Sequence, residues 1–474
     1  LQIFDVEASI KNIKSDLIKK HRIREIENFI YEIKSISKNP KNNPIIIGSG
    51  PAGLFCALVL AKAGLKPIVI ERGKDVDNRI KDVEDFSNTG KLNTNSNIQF
   101  GEGGAGTFSD GKLYTLINDA RSKFVFEKLV EAGAPSSILY EAKPHVGTDK
   151  LRILVKKLRE KIISLGGEFR FESCLTDIII NGNKIKEIII NEKESIKTDD
   201  LILALGHSAR DTFEMLYKKG LNMKAKPFAM GVRIEHDAKL INKSQFGESC
   251  INPKLPTASY KLVNHNKDAR SIYTFCMCPG GFVVPASSEN GRLCLNGMSE
   301  YSQDSGISNS AILVPVNEND FGSDNPLAGM EFQRYWEEKA FLAGGNDYKA
   351  PAQLVGDFLA GKKSTKLGKI NSTYKPGIEL TSLEECLPDF IIKALKIGLP
   401  ELDKKISGFA SNDAIITAIE ARSSSPLKFE RNENSESNII GIYPTGEGAG
   451  YAGGITSRAI DGLNTAEKII EKYL

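Results

Sequence analysis

The stretch PIIIGSGPAGLFCALVLAKAG, residues 44–64, decides the fold of this chain. It passes from a short β-branched segment through a glycine turn into an apolar helical segment that ends at Gly64. KPIVIER, residues 66–72, has the composition of a second buried strand. A strand, a glycine turn, a helix and a second strand within about 30 residues predict a βαβ unit with a parallel sheet.

The turn Gly48-Ser49-Gly50-Pro51-Ala52-Gly53 matches the G-x-G-x-x-G pattern of dinucleotide-binding sites. We expect Gly48 to allow the tight turn, Gly50 to let a pyrophosphate approach the backbone, and Gly53 to let the helix pack on the strand. The helix N-terminus then offers N–H groups to the phosphates. Glu71 ends the second strand, where an acid can accept hydrogen bonds from ribose hydroxyls. This segment by itself fits either FAD or NAD.

A second glycine-rich stretch, PTGEGAGYAGGITSRAIDG at 444–462, precedes the last predicted helix. In a two-segment FAD fold, a strand that ends in Gly446-Glu447 can place a carboxylate on the ribityl hydroxyls. Ala452-Gly453-Gly454-Ile455 can begin a helix whose N–H groups face the flavin, where the helix dipole stabilises the reduced ring. An NAD dehydrogenase has no use for this second site, so the sequence favours FAD.

Composition excludes several other classes of protein. The chain has 474 residues, of which 41% are hydrophobic and 26% are charged, as in ordinary globular proteins. Its 63 basic and 60 acidic residues give a net charge of +3, which offers no electrostatic reason to expect nucleic acid or an anionic membrane as a partner. Seven scattered cysteines, in a chain that begins at Leu1 without a signal-like segment, favour reduced thiols and a cytoplasmic location.

Changes in pattern along the chain predict its organisation. Residues 1–43 form an N-terminal helical segment and linker, since apolar residues recur there at helical spacing up to Ile33. Residues 44–215 form the first segment of the FAD-binding domain, with an amphipathic helix at 148–167 and a β-meander running from EFRFES to DDLILALG, 168–206. Residues 216–425 form an inserted substrate domain, and 426–474 form the second FAD-binding segment. The predicted class is α/β: a Rossmann-like FAD-binding domain, of parallel sheet plus β-meander, with an inserted mixed α/β substrate domain.

Several longer motifs carry a family resemblance. The sequence resembles the FAD-dependent oxidoreductases of the glutathione-reductase-like FAD/NAD(P)-binding superfamily. More closely, it is similar to a bacterial group of mostly uncharacterised FAD-dependent dehydrogenases. Besides the first glycine turn, the matching stretches are FGEGGAGTFSDGKL (100–113), LALGHSARD (203–211), CMCPGGFVVPASSENG (276–291), EARSSSPLKF (420–429) and YPTGEGAGYAGG (443–454).

The resemblance implies further cofactor contacts. It places a glycine-rich loop, Gly103 to Thr107, against the pyrophosphate and flavin, Gly206 near the cofactor, and Arg72 near the adenosine. Arg458 departs from the small residue typical of its position. The cofactor-binding residues expected from pattern and resemblance together are Gly48, Gly50, Pro51, Ala52, Gly53, Glu71, Arg72, Gly103, Gly104, Ala105, Gly106, Thr107, Gly206, Gly446, Glu447, Ala452, Gly453, Gly454 and Ile455.

The reacting residues are less evident from the pattern. Cys276 and Cys278, two apart in YTFCMC, are expected to share one face of a strand, either as a redox pair near the flavin or as two small buried side chains. Arg422 is expected either to hold an anionic substrate group or to form a buried ion pair with Glu420. His207 is expected in a loop near the cofactor phosphates or as a capping residue. The dispersed histidines predict no metal site.

These observations predict a hydride-transferring FAD-dependent oxidoreductase that acts on a small-molecule substrate. The chain has no second G-x-G-x-x-G for a nicotinamide, so NAD(P)H would dock only transiently as the electron donor, or the electrons arrive by another route. The alternatives are a flavin monooxygenase and an FAD-binding redox sensor without turnover. A flavin-dependent RNA-methylating enzyme is disfavoured by the near-neutral charge. The sequence does not specify an oligomeric state.

Overall fold

The computed structural model describes residues 29–115 and 117–474. The predicted N-terminal helices lie mostly outside the described residues. The strands in the described part are β1 (Ile45–Ile47), β2 (Ile68–Ile70), β3 (Glu168–Arg170), β4 (Leu175–Asn181), β5 (Lys184–Ile190), β6 (Glu194–Lys197), β7 (Leu201–Leu203), β8 (Met223–Ala225), β9 (Phe228–Asp237), β10 (Val263–Asn264), β11 (Ile272–Cys278), β12 (Phe282–Pro285), β13 (Leu295–Met298), β14 (Ile307–Val316), β15 (Ala350–Leu354), β16 (Ile378–Leu380), β17 (Ile415–Glu420), β18 (Leu427–Phe429) and β19 (Ile442–Pro444).

The α-helices of the same residues are α1 (Pro51–Lys62), α2 (Val76–Thr89), α3 (Arg121–Glu131), α4 (Thr148–Ser164), α5 (Arg210–Lys218), α6 (Ala238–Phe246), α7 (Glu318–Phe321), α8 (Ala328–Ala343), α9 (Val355–Leu359), α10 (Asp389–Asp403) and α11 (Ile455–Glu471). A 3-10 helix spans Gly104–Phe108. No helix within the described ranges is both long and apolar enough to cross a membrane.

The first unit of the fold is built on a five-stranded parallel sheet, with the strands in the order β19-β7-β1-β2-β3. Its central strands are buried on both faces, as parallel strands covered on two sides must be, which explains the unbroken run Ile45–Ile47. Ile46, Val69 and Ile202 face a core shared with α1, α4 and α11. The alternate residues face a second core shared with the antiparallel meander β4-β5-β6. The predicted parallel sheet with a β-meander is therefore confirmed.

The return of the chain to this sheet depends on close helix packing. A Cβ built on Gly462 in α11 would lie 2.1 Å from the carbonyl oxygen of Ala52 in α1. Only a glycine lets the two helices approach so closely. The last helix is thereby fixed against the first glycine turn, which brings the two glycine-rich stretches to one side of the sheet.

A seven-stranded mixed sheet is built from residues between 228 and 420, in the order β10-β11-β14-β9-β17-β15-β16. Its neighbours run antiparallel except β15 and β16, which are parallel. Its apolar side forms a large core with residues of α8 and α10. This is the mixed α/β second unit that the sequence predicted.

Two local predictions are corrected by the structure. EFRFES and DDLILALG do not extend the meander: β3 and β7 instead join the parallel sheet beside β2 and β1, and β6 supplies the third meander strand. The apolar spacing up to Ile33 predicted a helix, but the described residues 29–43 form no helix and have an irregular backbone. Tyr31, Ile33 and Ile36 there are partly buried and pack against the core that includes α1, so these contacts take the place of a helical apolar face.

Candidate functional site

The two glycine loops of the parallel-sheet unit touch each other, and we call residues 48–53 and 103–107 together the glycine cradle. Gly48, at φ 101°, makes the turn between β1 and α1, and a Cβ there would lie 2.5 Å from the Ala204 carbonyl oxygen. The Gly103 N–H donates to the Ser49 carbonyl oxygen over 3.0 Å. A Cβ on Gly104 would lie 3.1 Å from the Cα of Gly50. Bare backbone therefore meets bare backbone at the N-terminus of α1.

A cleft opens between these loops and the ends of β2 and β7. It is lined by many of the residues predicted to bind the cofactor, namely Gly48, Gly50, Pro51, Ala52, Glu71, Arg72, Gly104, Ala105, Gly206 and Glu447. His207 lines it too, as one of its two predicted placements requires, and so do residues that sequence reasoning did not assign to the cofactor, among them Gln99, Phe100, Ser173, Ser208 and Arg458. The ends of parallel strands are where open α/β sheets bind their ligands.

The remaining predicted residues surround the cleft without lining it. Gly53 is packed inside the turn, since a Cβ there would lie 2.0 Å from the Gly48 carbonyl oxygen. Gly106 lies beside Ile455 and Pro51, so the cradle meets the beginning of α11. Gly453 and Gly454 are exposed there, and a Cβ on Gly453 would meet no atom within 4 Å. The N-terminus of α11 thus opens at the same corner as the N-terminus of α1, with Ala452 ahead of it.

Glu71 links the loops that form the cradle. Its carboxylate, 5% exposed, accepts hydrogen bonds from the Ser49 N–H at 3.0 Å, the Ser49 hydroxyl at 2.8 Å, and the N–H groups of Gly73 and Gly101 at 3.0 Å each. Four internal donors occupy the two oxygens that the sequence assigned to ribose hydroxyls. The ribose contact stays a prediction, and it would share oxygens that already hold the loops together.

Arg72 and Arg79 shape the rim and the floor of the cradle. Arg72 pairs with Asp211 at 2.8 Å and lies over the Phe100 ring at 4.5 Å, at the edge of the cleft. The guanidinium of Arg79 is fully buried and donates to the carbonyl oxygens of the loop before and within the cradle, those of Asn97, Ile98, Glu102 and Gly104, at 2.6–2.9 Å. Desolvation lowers the pKa of Arg79 to about 10.

The sequence analysis missed Arg79, although the sequence carries a signal for it. Val76, Arg79, Val83 and Phe86 recur at helical spacing and are all buried in α2. An arginine at an apolar position of an amphipathic helix is unusual, because a buried charge needs partners. Here those partners are backbone carbonyls of the loop that the arginine organises.

Glu447, at the other end of the cleft, forms an ion pair with Arg458. Its carboxylate, 6% exposed, lies 2.6 Å from the guanidinium of Arg458. Burial raises the pKa of Glu447, while Arg458 and Lys226 oppose that rise. Arg458, which departs from the family pattern, therefore neutralises the acid assigned to the ribityl hydroxyls. Gly446 is held in place because its N–H donates to Asp461 over 2.7 Å.

The junction between the two sheet systems is filled by a buried group of ionic side chains, which we call the arginine–glutamate network: Arg210, Glu289, Glu337 and Arg422. Arg422 donates to both Glu337 oxygens at 2.6–2.7 Å and to the hydroxyls of Ser208 and Ser288 at 3.0 and 2.6 Å. The ion-pair alternative for Arg422 is therefore the one found, but its predicted partner was wrong. Glu420 pairs with Arg233 instead.

His207 lies beside this network at the cleft, with its Nδ1 2.9 Å from the Ser208 hydroxyl. Burial and the charges of Arg422, Arg458 and Arg210 hold its pKa well below the ordinary value. These surroundings disfavour the imidazolium form of the ring.

The Cys276–Cys278 segment does not form the regular strand that the sequence predicted. The pairing of β11 with β14 shifts between Phe275 and Cys278, and Cys276 has φ 44°. We call residues 276–278 the cysteine bulge. The Arg233 guanidinium donates to the Cys276 carbonyl oxygen over 2.7 Å and lies 3.5 Å from the Cys278 sulfur. The expectation that alternation places both thiols on one strand face was wrong, because a bulge interrupts the alternation.

Lys112 lies between the cysteine bulge and the beginning of α11. Its ammonium donates to the Met277 carbonyl oxygen and pairs with Asp110 at 2.9 Å. The next residue, Leu113, accepts a hydrogen bond from the Thr456 hydroxyl in the first turn of α11. Lys112 and Asp110 follow the cradle in FSDGKL, and sequence reasoning had assigned neither of them a role. The described residues contain no cluster of three His, Cys, Asp or Glu side chains that could hold a metal ion.

Comparison with known proteins agrees with this geometry. Residues 227–423 match the family model described as "FAD-dependent protein, C-terminal domain-like", and residues 43–79 match an FAD binding domain model. An uncharacterized protein of Clostridium beijerinckii is 53% identical over 453 residues, which cover 95% of this chain and 84% of the relative.

Solved structures resemble the chain only distantly. The E. coli quinol fumarate reductase FrdA has a TM-score of 0.41 at 12% identity, over 92% of this chain and 71% of its own. The halogenase PltM has a TM-score of 0.43 at 12% identity, over 92% of this chain and 69% of its own. These likenesses identify no activity for this chain. The extensive match to the clostridial relative, together with the two family models, shows that the chain belongs to the family of FAD-dependent proteins.

Proposed function

We propose that the protein is an FAD-dependent oxidoreductase that transfers a hydride between a small-molecule substrate and the flavin. The observation that carries the proposal is the contact between two side-chain-free backbones, at Gly50 and Gly104, on the edge of a cleft whose lining also includes Glu447 and Arg458. A dinucleotide needs close backbone approach at its pyrophosphate and polar groups further along. When bound, FAD supplies two-electron redox chemistry.

The residues of the cleft fit this cofactor in charge and in the backbone that they leave uncovered. Gly50 and Gly104 let the pyrophosphate lie against the backbone, and the N-terminus of α1 attracts its negative charge. Glu447 accepts hydrogen bonds from sugar-chain hydroxyls, while Arg458 keeps that buried carboxylate paired. The positive end of α11 faces the same corner and favours negative charge there.

The reaction itself takes place, in this proposal, where the cleft meets the mixed-sheet unit. Ser208 lines the cleft there and accepts a hydrogen bond from Arg422, which follows β17 of the mixed sheet. NAD(P)H is proposed as the electron donor. Its binding would be transient, because the sequence has no second G-x-G-x-x-G pattern to hold a nicotinamide dinucleotide.

The first test is the absorbance of the purified protein, followed by anaerobic titration with NADH and then NADPH. Bound FAD that either nicotinamide bleaches rapidly supports the proposal. Readmission of oxygen then separates a reductase from a monooxygenase. A folded protein that takes up no FAD would overturn the proposal. FAD that no nicotinamide reduces would exclude NAD(P)H as the donor.

A matched pair of variants tests the location of the site. Ala105 lines the cleft, so Ala105→Leu is expected to fill it and abolish FAD retention without unfolding the protein. Ala360 is exposed at the end of α9, so Ala360→Leu is expected to keep FAD. Equal FAD content in the two variants, with equal melting temperatures, would contradict the assignment of the cleft.

A further inference from the structure

A chain of hydrogen bonds runs from the arginine–glutamate network to the wall of the cleft. Glu337 holds the Arg422 guanidinium, because its two oxygens accept hydrogen bonds from it at 2.6–2.7 Å. Arg422 donates to the Ser208 hydroxyl over 3.0 Å, and that hydroxyl lies 2.9 Å from Nδ1 of His207. Ser208 and His207 both line the cleft. The chain of bonds therefore begins in the mixed-sheet unit and ends at a ring on the wall of the cofactor cleft.

The Ser208 hydroxyl determines which nitrogen of His207 carries the proton. A guanidinium has only donors, so the hydroxyl oxygen accepts the hydrogen bond from Arg422. If Nδ1 carried the ring proton, it would donate to the same oxygen, and the Ser208 O–H would have no acceptor among the described residues. A buried donor without an acceptor is costly, and Ser208 is only 4% exposed. The Ser208 O–H therefore donates to Nδ1, and the proton of the neutral ring is on Nε2.

The surroundings of His207 disfavour a ring with protons on both nitrogens. Burial lowers the pKa of His207, and three arginines lower it further: Arg422 after β17, Arg458 on α11 and Arg210 on α5. Glu337 on α8 opposes this shift without outweighing it. The ring therefore presents a single N–H donor, at Nε2, and that donor is uncharged.

The position of His207 brings this donor next to the first glycine turn. Strands β1 and β7 are parallel neighbours, so the loops that follow them leave the same edge of the sheet side by side. A Cβ on Gly48 would lie 2.5 Å from the Ala204 carbonyl oxygen, which shows how closely the two loops pack. A Cβ on Gly206 would meet no atom within 4 Å, so the backbone just before His207 is uncovered. A phosphate group held at the first glycine turn would lie beside the His207 loop.

We propose that His207 binds the dinucleotide by donating its Nε2–H to a phosphate oxygen, and that Ser208 and Arg422 are positioning residues that fix this tautomer. A phosphate oxygen is a charged acceptor, so the hydrogen bond from a neutral donor to it is a strong one. The inference rests on the proposed function for the identity of the dinucleotide, FAD. The tautomer itself depends on the contacts of this chain alone, and it ties the grip on the cofactor to the mixed-sheet unit.

The tautomer is read by nuclear magnetic resonance of the full-length protein labelled with 15N-histidine. The chain has five histidines, and the signals of His207 are those that disappear in His207→Gln. At pH 7 we expect a protonated Nε2 and an unprotonated Nδ1, and in Ser208→Ala a mixture of the two tautomers. His265 gives the matched control, because its Nδ1 lies 3.1 Å from the Ser271 hydroxyl at an exposed position. Ser271→Ala is expected to leave the His207 signals unchanged.

The contact with phosphate is measured by calorimetric titration of the full-length protein, dialysed free of cofactor, with FAD and with ADP. ADP carries the pyrophosphate but no flavin. His207→Leu is expected to weaken binding of both nucleotides about tenfold or more, since it removes a hydrogen bond to a charged group. His207→Gln is expected to keep most of the affinity, because its amide N–H can replace the Nε2–H. His265→Leu, at the exposed control position, is expected to bind both nucleotides like wild type.

Several outcomes would overturn the proposal. A His207 ring in wild type that carries its proton on Nδ1, or on both nitrogens in turn, would remove the role of Ser208. Equal affinities of His207→Leu and His207→Gln would remove the contact with the dinucleotide. Weaker binding of FAD alone would place the acceptor on the flavin and not on phosphate. Binding of ADP without FAD would overturn the proposed function and leave this contact in place, whereas binding of neither nucleotide would overturn both.

Discussion

The glycine cradle lines the cleft, and the arginine–glutamate network lies behind Ser208 on its wall, but the two are built from different parts of the chain. The cradle consists of two short backbone loops, 48–53 and 103–107, which meet without intervening side chains. The network consists of four charged side chains from four separate segments, and Glu337, at its centre, is 0% exposed. The comparison teaches that a site made of backbone is specified by local glycine spacing, whereas a site made of buried charge is specified by the whole fold.

The largest expected effect is in the cradle. Gly53→Ala places a methyl group about where the Gly48 carbonyl oxygen already lies, 2.0 Å from an ideal Cβ. Since backbone cannot move aside without opening the turn, we expect a loss of more than about 4 kcal/mol in the free energy of unfolding. Urea denaturation followed by circular dichroism measures it. Gly453→Ala is the control, because its Cβ meets no atom within 4 Å; equal stability of the two variants would break the comparison.

The next effect is in the network. Burial disfavours a charged Glu337, but Arg210 and Arg422 outweigh burial and hold its pKa below the ordinary 4.5. Glu337→Gln leaves two buried guanidinium groups short of a carboxylate, and we expect a loss of about 3–5 kcal/mol in the free energy of unfolding. The exposed Glu331, paired with Arg334, gives the control: Glu331→Gln should cost less than about 1 kcal/mol.

The pH dependence of this difference follows from the sign of the shift. A depressed carboxyl pKa stabilises the folded state above the unfolded pKa, and that stabilisation is lost as the pH falls. The stability gap between wild type and Glu337→Gln should therefore be full above pH 4.5 and shrink in more acid solution. A gap that grows below pH 4.5 would show that Glu337 is not the ionised centre of the network.

The smallest effect concerns a second buried pair, Glu420 with Arg233, and extends the comparison to the cysteine bulge. Burial raises the pKa of Glu420 to about 7, although Arg233 opposes the rise. A raised carboxyl pKa stabilises the folded state below the unfolded value of 4.5, and this is lost as the pH rises through 7. Relative to Glu420→Gln, wild type should lose up to about 3 kcal/mol between pH 4.5 and pH 8. Relative to Glu379→Gln, at the exposed position of β16, the stability of wild type should not change over this pH range.

The predictions that succeeded rest on short-range rules. The βαβ unit, the parallel sheet, the amphipathic helix at 148–167 and the closing helix all follow from apolar periodicity and from the places where glycine interrupts it. The need for glycine at Gly48 and Gly53 was also predicted correctly. A Cβ on Gly53 would collide with the Gly48 carbonyl oxygen, and a Cβ on Gly48 would collide with the carbonyl oxygen of Ala204. The constraint at Gly53 lies within one turn of chain, whereas the one at Gly48 comes from Ala204 at the end of the neighbouring strand β7.

The predictions that failed depended on distant partners. Alternation in YTFCMC gave the wrong arrangement of the thiols, because the bulge is set by the pairing of β11 with β14 and by Arg233 on β9. Arg422 was assigned to Glu420, two residues away, although on the folded sheet it faces Glu337 on α8. EFRFES and DDLILALG have the pattern of any strand, and only the packed sheet decides which neighbours they join.

By itself the sequence determined the fold class, the dinucleotide turn and the second glycine-rich stretch, because glycine spacing and apolar periodicity act locally. The tertiary structure decided that the two glycine loops touch, that Arg79 holds one of them from below, and that Glu447 is neutralised by Arg458. It also decided which buried charges pair and that a bulge interrupts β11 at Cys276. Charge pairing and the position of the bulge are fixed by contacts across the fold, and those contacts exist only once the sheets and helices have packed.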